Sequence, residues 1–207
     1  VISGQKFDNF VKTNIFEPLK MQDSHFYLPK NKLSRLSADW NSDWKGSLKR
    51  VNAPLIDGDL ALCPSDGEQT SGKYLSGGAS VLSTAYDYFR FAQMLLNQGK
   101  LDGTRLLSRK TVELMAATNH IGHHDAELLH SKGWKFGLGF AIQQDRQHNV
   151  DSGDKGVFEW AGYYSTRFSV NPTEETVTIF LSQTSPFGAH FGLWDSITAL
   201  STSAIAD

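Results

Sequence analysis

The feature that most constrains the fold is a series of four stretches in the last third of the chain in which apolar and polar residues alternate. They read "WKFGLGFAI", "VFEWAG", "YSTRFSVNP" and "TVTIFLSQ", in that order. Alternation with a period of two puts apolar side chains on one face of an extended strand. The stretches "DSGDKG" and "NPTEE" lie between them, and such residues favour tight turns. The pattern therefore predicts successive antiparallel strands.

The middle of the chain carries the clearest helix signals. Asp87 follows Thr84 by three residues, which is the spacing of a capping box at the start of a helix. Apolar residues then recur at helical spacing up to Gly99, a residue that suits a left-handed cap at the C-terminus. Ser108 is placed to begin a second, shorter helix over "RKTVELMAAT".

Two further helices are predicted near the ends of the chain. Apolar residues recur at helical spacing from Phe7 onward, with Ser3 as the expected N-cap and Pro18 as the expected end. The stretch from Val1 looks like a helix already under way, and "GLWDSITALSTSAI" predicts a closing helix. Residues 29–53 lack a steady period and indicate a long surface excursion with short helical turns. These elements predict an α/β (α+β) fold, an antiparallel sheet with helices packed on it.

Length, charge and cysteine content limit the classes of function. A chain of 207 residues can bury one sizeable core, and a net charge of -2 without a basic block argues against a nucleic-acid partner. No apolar run approaches the roughly 18 residues that a membrane-spanning helix needs. Cys63 is the only cysteine, so no internal disulfide can form. The compartment stays open, with a periplasmic or secreted location favoured over a cytoplasmic one.

A cluster of four histidines raises the alternative of a metal site. They lie in a stretch without period, at His120, His123, His124 and His130. Imidazoles in a cluster bind zinc readily. No acidic residue or cysteine stands at ligand spacing on a predicted helix, so a solvated loop is the favoured interpretation. We expect no metal and no other cofactor.

The stretch "FEWAGYYSTRFSVNP" is unusual for a buried strand because it places a glycine, Gly162, in its interior. Together with "IFEPLKMQDSHF" and "GGASVLSTAYDYFRFAQMLLNQGKLDGTRLLSRKTVELM", it resembles the serine β-lactamase-like hydrolases. The resemblance is greatest to the class C and esterase branch, which includes relatives of penicillin-binding proteins. It runs along nearly the whole chain in the family's order, and it implies a β-lactamase/transpeptidase-like fold.

The resemblance also implies roles for the unusual stretch. Trp160, Ala161 and Gly162 stand where the family has its third catalytic motif, so they are expected to bind substrate along the strand edge. The backbone amide of Tyr163 is the expected oxyanion donor. From the residues alone, the favoured interpretation is that Trp160 is an inward core residue with Gly162 at a bulge. The family's order elsewhere in the chain reverses that preference. Lys20 replaces a family glycine and is expected to adopt a left-handed conformation.

The family's nucleophile and general base have no counterpart in this chain. In the family, Ser-x-x-Lys and Tyr-x-Asn precede the segment that residues 1–20 resemble. Ser42 and Lys45 match Ser-x-x-Lys by letter, but they lie in the polar excursion, and Thr70 to Lys73 match it less well. Residues 1–207 are therefore expected to be the C-terminal portion of a single hydrolase domain, inactive without an N-terminal segment of the same enzyme.

Three functions remain open after this reasoning. The first is an acyl-serine hydrolase acting on a small ester, amide or β-lactam, and Trp160 in place of the family's lysine favours esterase or peptidase-like chemistry. The second is a catalytically dead module that keeps the fold to bind a ligand. The third is a metal-dependent hydrolase that uses the histidine cluster.

Overall fold

The computed structural model describes residues 2–43, 45–51, 56–57, 60–61, 75, 77–78, 81–117, 133–144, 154–185 and 191–205. The chain divides into two compact units. The first unit comprises Val1–Tyr88, Gly162–Thr166 and Leu181–Ala189, and the second comprises Phe89–Ala161, Arg167–Phe180 and His190–Asp207.

The described residues form four α-helices and twelve short strands. The helices are α1 (Phe7–Val11), α2 (Ala85–Leu96), α3 (Arg109–Ala117) and α4 (Phe191–Ser203). The strands are β1 (Trp40–Ser42), β2 (Leu48–Arg50), β3 (Ile56–Asp57), β4 (Leu60–Ala61), β5 (Lys100–Leu101), β6 (Thr104–Arg105), β7 (Trp134–Phe136), β8 (Ala141–Gln143), β9 (Phe158–Ala161), β10 (Arg167–Asn171), β11 (Thr176–Phe180) and β12 (Thr184–Ser185).

The second unit is built on a five-stranded antiparallel sheet. Its strand order is β11-β10-β9-β8-β7, so neighbours in the chain are neighbours in the sheet. The predicted succession of antiparallel strands is confirmed, including the turn that pairs Asn171 with Thr176. Helix α3 contacts β8 and helix α4 contacts β11, which confirms helices packed on the sheet.

One predicted strand is a hairpin instead. The alternating pattern predicts a single strand over "WKFGLGFAI", but this stretch forms β7 and β8 with a turn between them. The amide of Gly137 donates to the carbonyl of Phe140 at 2.8 Å, and Gly139 has a φ of 91°. A positive φ suits glycine and reverses the chain. The glycines therefore mark a turn inside the alternating pattern.

The helix ends predicted in the middle of the chain are confirmed. The amide of Asp87 donates to Oγ1 of Thr84 at 3.2 Å at the start of α2. At the end of α2, Gly99 has a φ of 90°. Ser108 precedes α3, and its Oγ accepts from the amide of Thr111 at 3.0 Å. Each cap satisfies a backbone group that a helix end would otherwise leave unpaired.

The first helix differs from the prediction at its start. Residues 2–5 form turns, so the chain is not in a helix there, and α1 begins only at Phe7. Lys6 is the N-cap and makes no side-chain hydrogen bond. The prediction of Ser3 as the N-cap is wrong, because its Oγ instead accepts from the amide of Gln5 at 3.3 Å in a local turn.

The first helix also ends in an unexpected way. It continues as one π-helical segment, Lys12–Phe16, before the regular pattern stops ahead of Pro18. Lys20 has a φ of 56°, so the predicted left-handed conformation is confirmed. A lysine in this conformation costs on the order of 1 kcal/mol relative to glycine.

The surface excursion contains regular structure that the sequence did not reveal. A 3-10 helix spans Lys30–Arg35, which agrees with short helical turns. Strands β1 and β2 follow, and they form a three-stranded sheet of the first unit in the order β12-β1-β2. Strand β1 runs parallel to β12, with Trp40 opposite Thr184. Strand β1 pairs with β12, which is distant in sequence, and β1 and β2 have only three residues each, so local periodicity does not predict them.

Candidate functional site

The candidate residues fall in two consecutive segments: Trp160 and Ala161 end β9 in the second unit, and residues 162–166, which we call the 162–166 turn, belong to the first unit. Gly162 donates through its amide to the carbonyl of Thr166 at 2.8 Å, and the amide of Ser165 donates to the carbonyl of Gly162 at 3.0 Å. The turn connects β9 to β10, which pair in the antiparallel sense. Trp160 and Ala161 close the strand, and Gly162 and Tyr163 open the turn.

The amide of Tyr163 is the feature of the turn with most chemical interest. Within the part of the chain that the structure describes, no oxygen accepts a hydrogen bond from it. The residue is 42% exposed, and its ring packs edge-to-face on that of Tyr164, with centroids 5.4 Å apart. A backbone amide without an acceptor among the described residues can donate to an oxygen of a ligand, which is what an oxyanion donor does.

A contact within the 162–166 turn explains why residue 162 is a glycine. A β-carbon at Gly162 would lie closer than 3.0 Å to Oγ1 of Thr166, a separation that real β-carbons essentially never show. The space beside Gly162 is thus occupied by a neighbouring side chain. The glycine alone does not require a substrate to lie along the strand.

Trp160 lies in a packed environment of the second unit. Its ring meets that of Phe136 edge-to-face, with centroids 5.0 Å apart. It also packs against a buried cluster formed by Trp134, Ala141 and Val157. Packing is therefore one role of Trp160, as the alternative interpretation of the sequence had it. Its role in substrate binding stays a prediction, as do those of the residues from Ala161 to Tyr163.

A buried ion pair lies beside the strand end, and sequence reasoning missed it. Nη2 of Arg167 donates to Oε1 of Glu159 at 3.0 Å, and the two side chains are only 9% and 6% exposed. The guanidinium carbon of Arg167 lies 5.0 Å above the ring of Trp194 on α4. Glu159 comes just before Trp160, so the pair holds the end of β9 to β10. Its residues are diagonal neighbours on adjacent strands, since Glu159 lies opposite Ser169 and Arg167 opposite Ala161. They are eight apart in sequence, and no motif marks them.

A buried acid in the first unit was also missed. Asp39 is 6% exposed, and its Oδ1 accepts from Nε2 of Gln183 at 2.7 Å. Burial raises the pKa of the Asp39 carboxyl above its usual value. The hydroxyl of Tyr164 is buried without a hydrogen-bond partner in the described residues, and burial followed by the charge of Asp39 raises its pKa. No local signal links residues so far apart in sequence.

The alternative nucleophile has the wrong local structure. Ser42 is the last residue of β1 and is 7% exposed. The family motif needs its serine and lysine on one face of a helix, whereas Lys45 here follows a strand.

The second letter match, Thr70 to Lys73, and the four histidines at 120–130 lie outside the described residues. Elsewhere, the described residues contain no group of three potential metal ligands. None of the described helices is long and apolar enough to cross a membrane.

Comparisons with known proteins agree with the family that the sequence resembles. A family model described as Beta-lactamase matches residues 1–200. Protein Rv1367c of Mycobacterium tuberculosis is 27% identical over 188 residues, which cover 85% of this chain and 43% of that protein. The chain therefore spans less than half the length of this curated relative.

Solved structures share the fold. EstCE1, described as a hydrolase with promiscuous acyltransferase activity, superimposes with a TM-score of 0.77 at 22% identity, covering 95% of this chain and 51% of that one. Simvastatin synthase (LovD) from Aspergillus terreus gives a TM-score of 0.73 at 21% identity, covering 99% and 52%. With the family match along nearly its whole length and this shared fold, the chain belongs to the β-lactamase family.

Proposed function

We propose that residues 1–207 are the C-terminal part of a serine acyl hydrolase that acts through an acyl-enzyme and whose nucleophile lies in another segment of the protein. The observation that carries the proposal is the amide of Tyr163, which has no acceptor among the described residues and belongs to an exposed residue of the 162–166 turn. The family match and the coverage of 43% to 52% of the relatives' lengths support it.

In this mechanism the chain supplies electrostatic stabilisation. As the serine attacks the acyl carbon, negative charge develops on the carbonyl oxygen, and the Tyr163 amide donates a hydrogen bond to it. Removing a donor of this kind costs about 3 kcal/mol of transition-state stabilisation in other enzymes. The backbone from Trp160 to Gly162 aligns the substrate. Because the donor is a backbone group, its position matters more than the identity of the tyrosine.

The substrate is a small ester, amide or β-lactam, with an ester or peptide-like amide favoured. Trp160 stands where the family carries a lysine, so the cation that would meet a β-lactam carboxylate is missing from that position. The hydrolase and acyltransferase activities of EstCE1 fit ester chemistry. We further propose a periplasmic or secreted location and an N-terminal segment of the same enzyme as partner.

The test uses the whole protein that contains this chain. A fluorophosphonate probe should label one serine, and peptide mapping by mass spectrometry should place the label outside residues 1–207. Ser42→Ala is the matched control and should keep the label. The oxyanion role is tested by replacing the Tyr163 amide with an ester through semisynthesis, which removes only the N–H. We expect kcat to fall about 10²–10³-fold, whereas Tyr163→Ala, which keeps the amide, should stay within about threefold of wild type.

Other outcomes identify the competing functions. A label on Ser42 would show that the motif alignment is wrong. Absence of labelling and of ester turnover would indicate a binding module, and turnover abolished by a chelator but untouched by the probe would indicate a metal-dependent hydrolase. An ester at position 163 that leaves kcat unchanged would remove Tyr163 from the mechanism.

A further inference from the structure

We propose that Asp39 is a positioning residue which, through Gln183 and Thr184, fixes the 162–166 turn and with it the amide of Tyr163. The inference rests on the proposed function, because it assigns a purpose to the position of that amide. All the residues involved belong to the first unit.

The backbone of β12 connects β1 to the turn. The amide of Trp40 donates to the carbonyl of Gln183 at 2.8 Å. The amide of the next residue, Thr184, donates to the carbonyl of Tyr164 at 3.3 Å. In return, Oγ of Ser165 donates to the carbonyl of Thr184 at 3.0 Å. Thr184 is thus bonded to the turn through both its amide and its carbonyl.

Asp39 anchors the other end of this series. Its Oδ1 accepts from the side chain of Gln183 at 2.7 Å across 144 positions of sequence, and its carbonyl accepts from the amide of Val51 at 2.8 Å. The backbone and side chain of Gln183 are therefore held by consecutive residues of the first unit, Asp39 and Trp40. Because both its backbone and its side chain are hydrogen-bonded, Gln183 restricts the movement of the next residue, Thr184.

The turn needs external support because its own backbone is strained. Ser165 has a φ of 60°, a left-handed conformation that non-glycine residues rarely adopt. Strained conformations persist where surrounding contacts over-determine them, and they concentrate at functional sites. Here the supporting contact is the hydrogen bond from Ser165 to Thr184. Loss of the anchor at Asp39 should let Thr184 shift and the turn relax.

The experiment compares variants of the whole protein. Asp39→Ala removes the acceptor, Asp39→Asn keeps an acceptor oxygen without the charge, and Gln183→Met removes the donor at similar size. Ser24→Ala is the control, because that hydroxyl bonds to Asp87 elsewhere in the first unit. Hydrogen exchange by mass spectrometry reports on the amides of Gly162 and Ser165, which donate within the turn. Steady-state kinetics of ester hydrolysis give kcat and KM separately.

We expect Asp39→Ala and Gln183→Met to speed exchange in the turn about tenfold or more. The same variants should lower kcat about tenfold while KM changes less than about twofold, because a displaced oxyanion donor acts mainly in the transition state. Asp39→Asn and Ser24→Ala should stay near wild type in both measurements. If Asp39→Ala fails to fold, Gln183→Met against Asp39→Asn makes the same comparison.

Unchanged exchange in the turn of a folded Asp39→Ala or Gln183→Met protein would overturn the proposal. So would faster exchange with unchanged kcat, since the turn would then not matter to the reaction. A whole protein that hydrolyses no ester, amide or β-lactam, but whose turn loosens as expected, would refute the proposed function and leave the anchoring of the turn by Asp39 established.

Discussion

The side chain of Thr166 occupies the space that a β-carbon would need at Gly162. Oγ1 of Thr166 would lie closer than 3.0 Å to that carbon, while the Gly162 amide donates to the Thr166 carbonyl at 2.8 Å. The two residues therefore close the turn after β9 through both backbone and side chain. This contact explains an interior glycine in a strand-like sequence without a ligand.

Gly162→Ala should destabilise the protein by about 1–3 kcal/mol, because the new methyl group overlaps the Thr166 hydroxyl. Thr166→Ala removes that hydroxyl and should restore most of the lost stability in the double variant. Chemical denaturation of the four proteins in a double-mutant cycle measures the coupling. Additive effects would contradict the contact. If stability returns but ester turnover does not, Gly162 also provides room for substrate.

Two glycines after α2 allow the cost of backbone strain to be measured separately from the cost of steric overlap. Gly99 and Gly103 have φ values of 90° and 85°, so alanine is strained by about the same amount, on the order of 1 kcal/mol, at either position. At Gly99 a β-carbon would also meet the carbonyl oxygen of Leu107 closer than 3.0 Å, whereas at Gly103 nothing lies within 4 Å.

Gly99→Ala should therefore lower the free energy of unfolding by about 1–3 kcal/mol more than Gly103→Ala does. Urea denaturation of the two variants, whose glycines have similar φ values, gives the difference directly. Equal losses would mean that the end of α2 moves away from Leu107 at little cost.

Features whose partners lie a few residues away were predictable from sequence. The Thr84–Asp87 capping contact follows from a short-range rule. The positive φ of Lys20 was expected from the family resemblance, because Lys20 stands where the family has a glycine. Asp39 and Gln183 lie 144 positions apart, and nothing in either neighbourhood indicates the other. Tyr163 was identified through the family resemblance, because no residue pattern by itself marks a backbone amide as a donor.

The buried ion pair beside the strand end should be costly to break. Glu159→Ala removes the carboxylate that Nη2 of Arg167 contacts, where the Arg167 side chain is only 9% exposed. Removing one partner of a buried pair typically costs about 3–5 kcal/mol. Glu17→Ala is the control. Oε1 of Glu17 lies 3.8 Å from Nζ of Lys12, and the side chains of Glu17 and Lys12 are 58% and 66% exposed. Such exposed pairs contribute about 0–1 kcal/mol.

Thermal and chemical unfolding of both variants test this difference. A loss below about 1 kcal/mol for Glu159→Ala would mean that the other interactions of Arg167, the ring of Trp194 among them, stabilise its charge without this carboxylate. The double variant Glu159→Ala with Arg167→Met should recover stability, because it replaces both charges of the buried pair with apolar side chains and keeps one of them against the ring of Trp194.

His25 gives the first unit a predictable dependence on pH. Nζ of Lys32 lies 3.1 Å from Nε2 of His25, and the same ammonium contacts Oδ1 of Asp23 at 2.7 Å. Burial, and then the charge of Lys32, lowers the pKa of His25 below its ordinary value, although Asp23 and Asp87 act in the opposite direction. A neutral imidazole accepts from the ammonium, whereas a protonated one would repel it.

Because the pKa of His25 is lower in the folded state than the ordinary value of 6.5, the unfolded chain binds the proton first as pH falls. The stability that depends on neutral His25 is thus present above about pH 6.5 and is lost as pH falls through the folded pKa. His25→Gln keeps an acceptor but cannot titrate, so its free energy of unfolding should fall less between pH 7 and pH 5.

The hydrogen bond from Arg35, and then that from Lys32, holds the pKa of Asp23 well below its usual range, so that carboxyl loses its charge only at far lower pH. The difference between the wild-type and variant curves, measured by urea denaturation, therefore isolates His25, and parallel curves would show that its pKa is not lowered on folding.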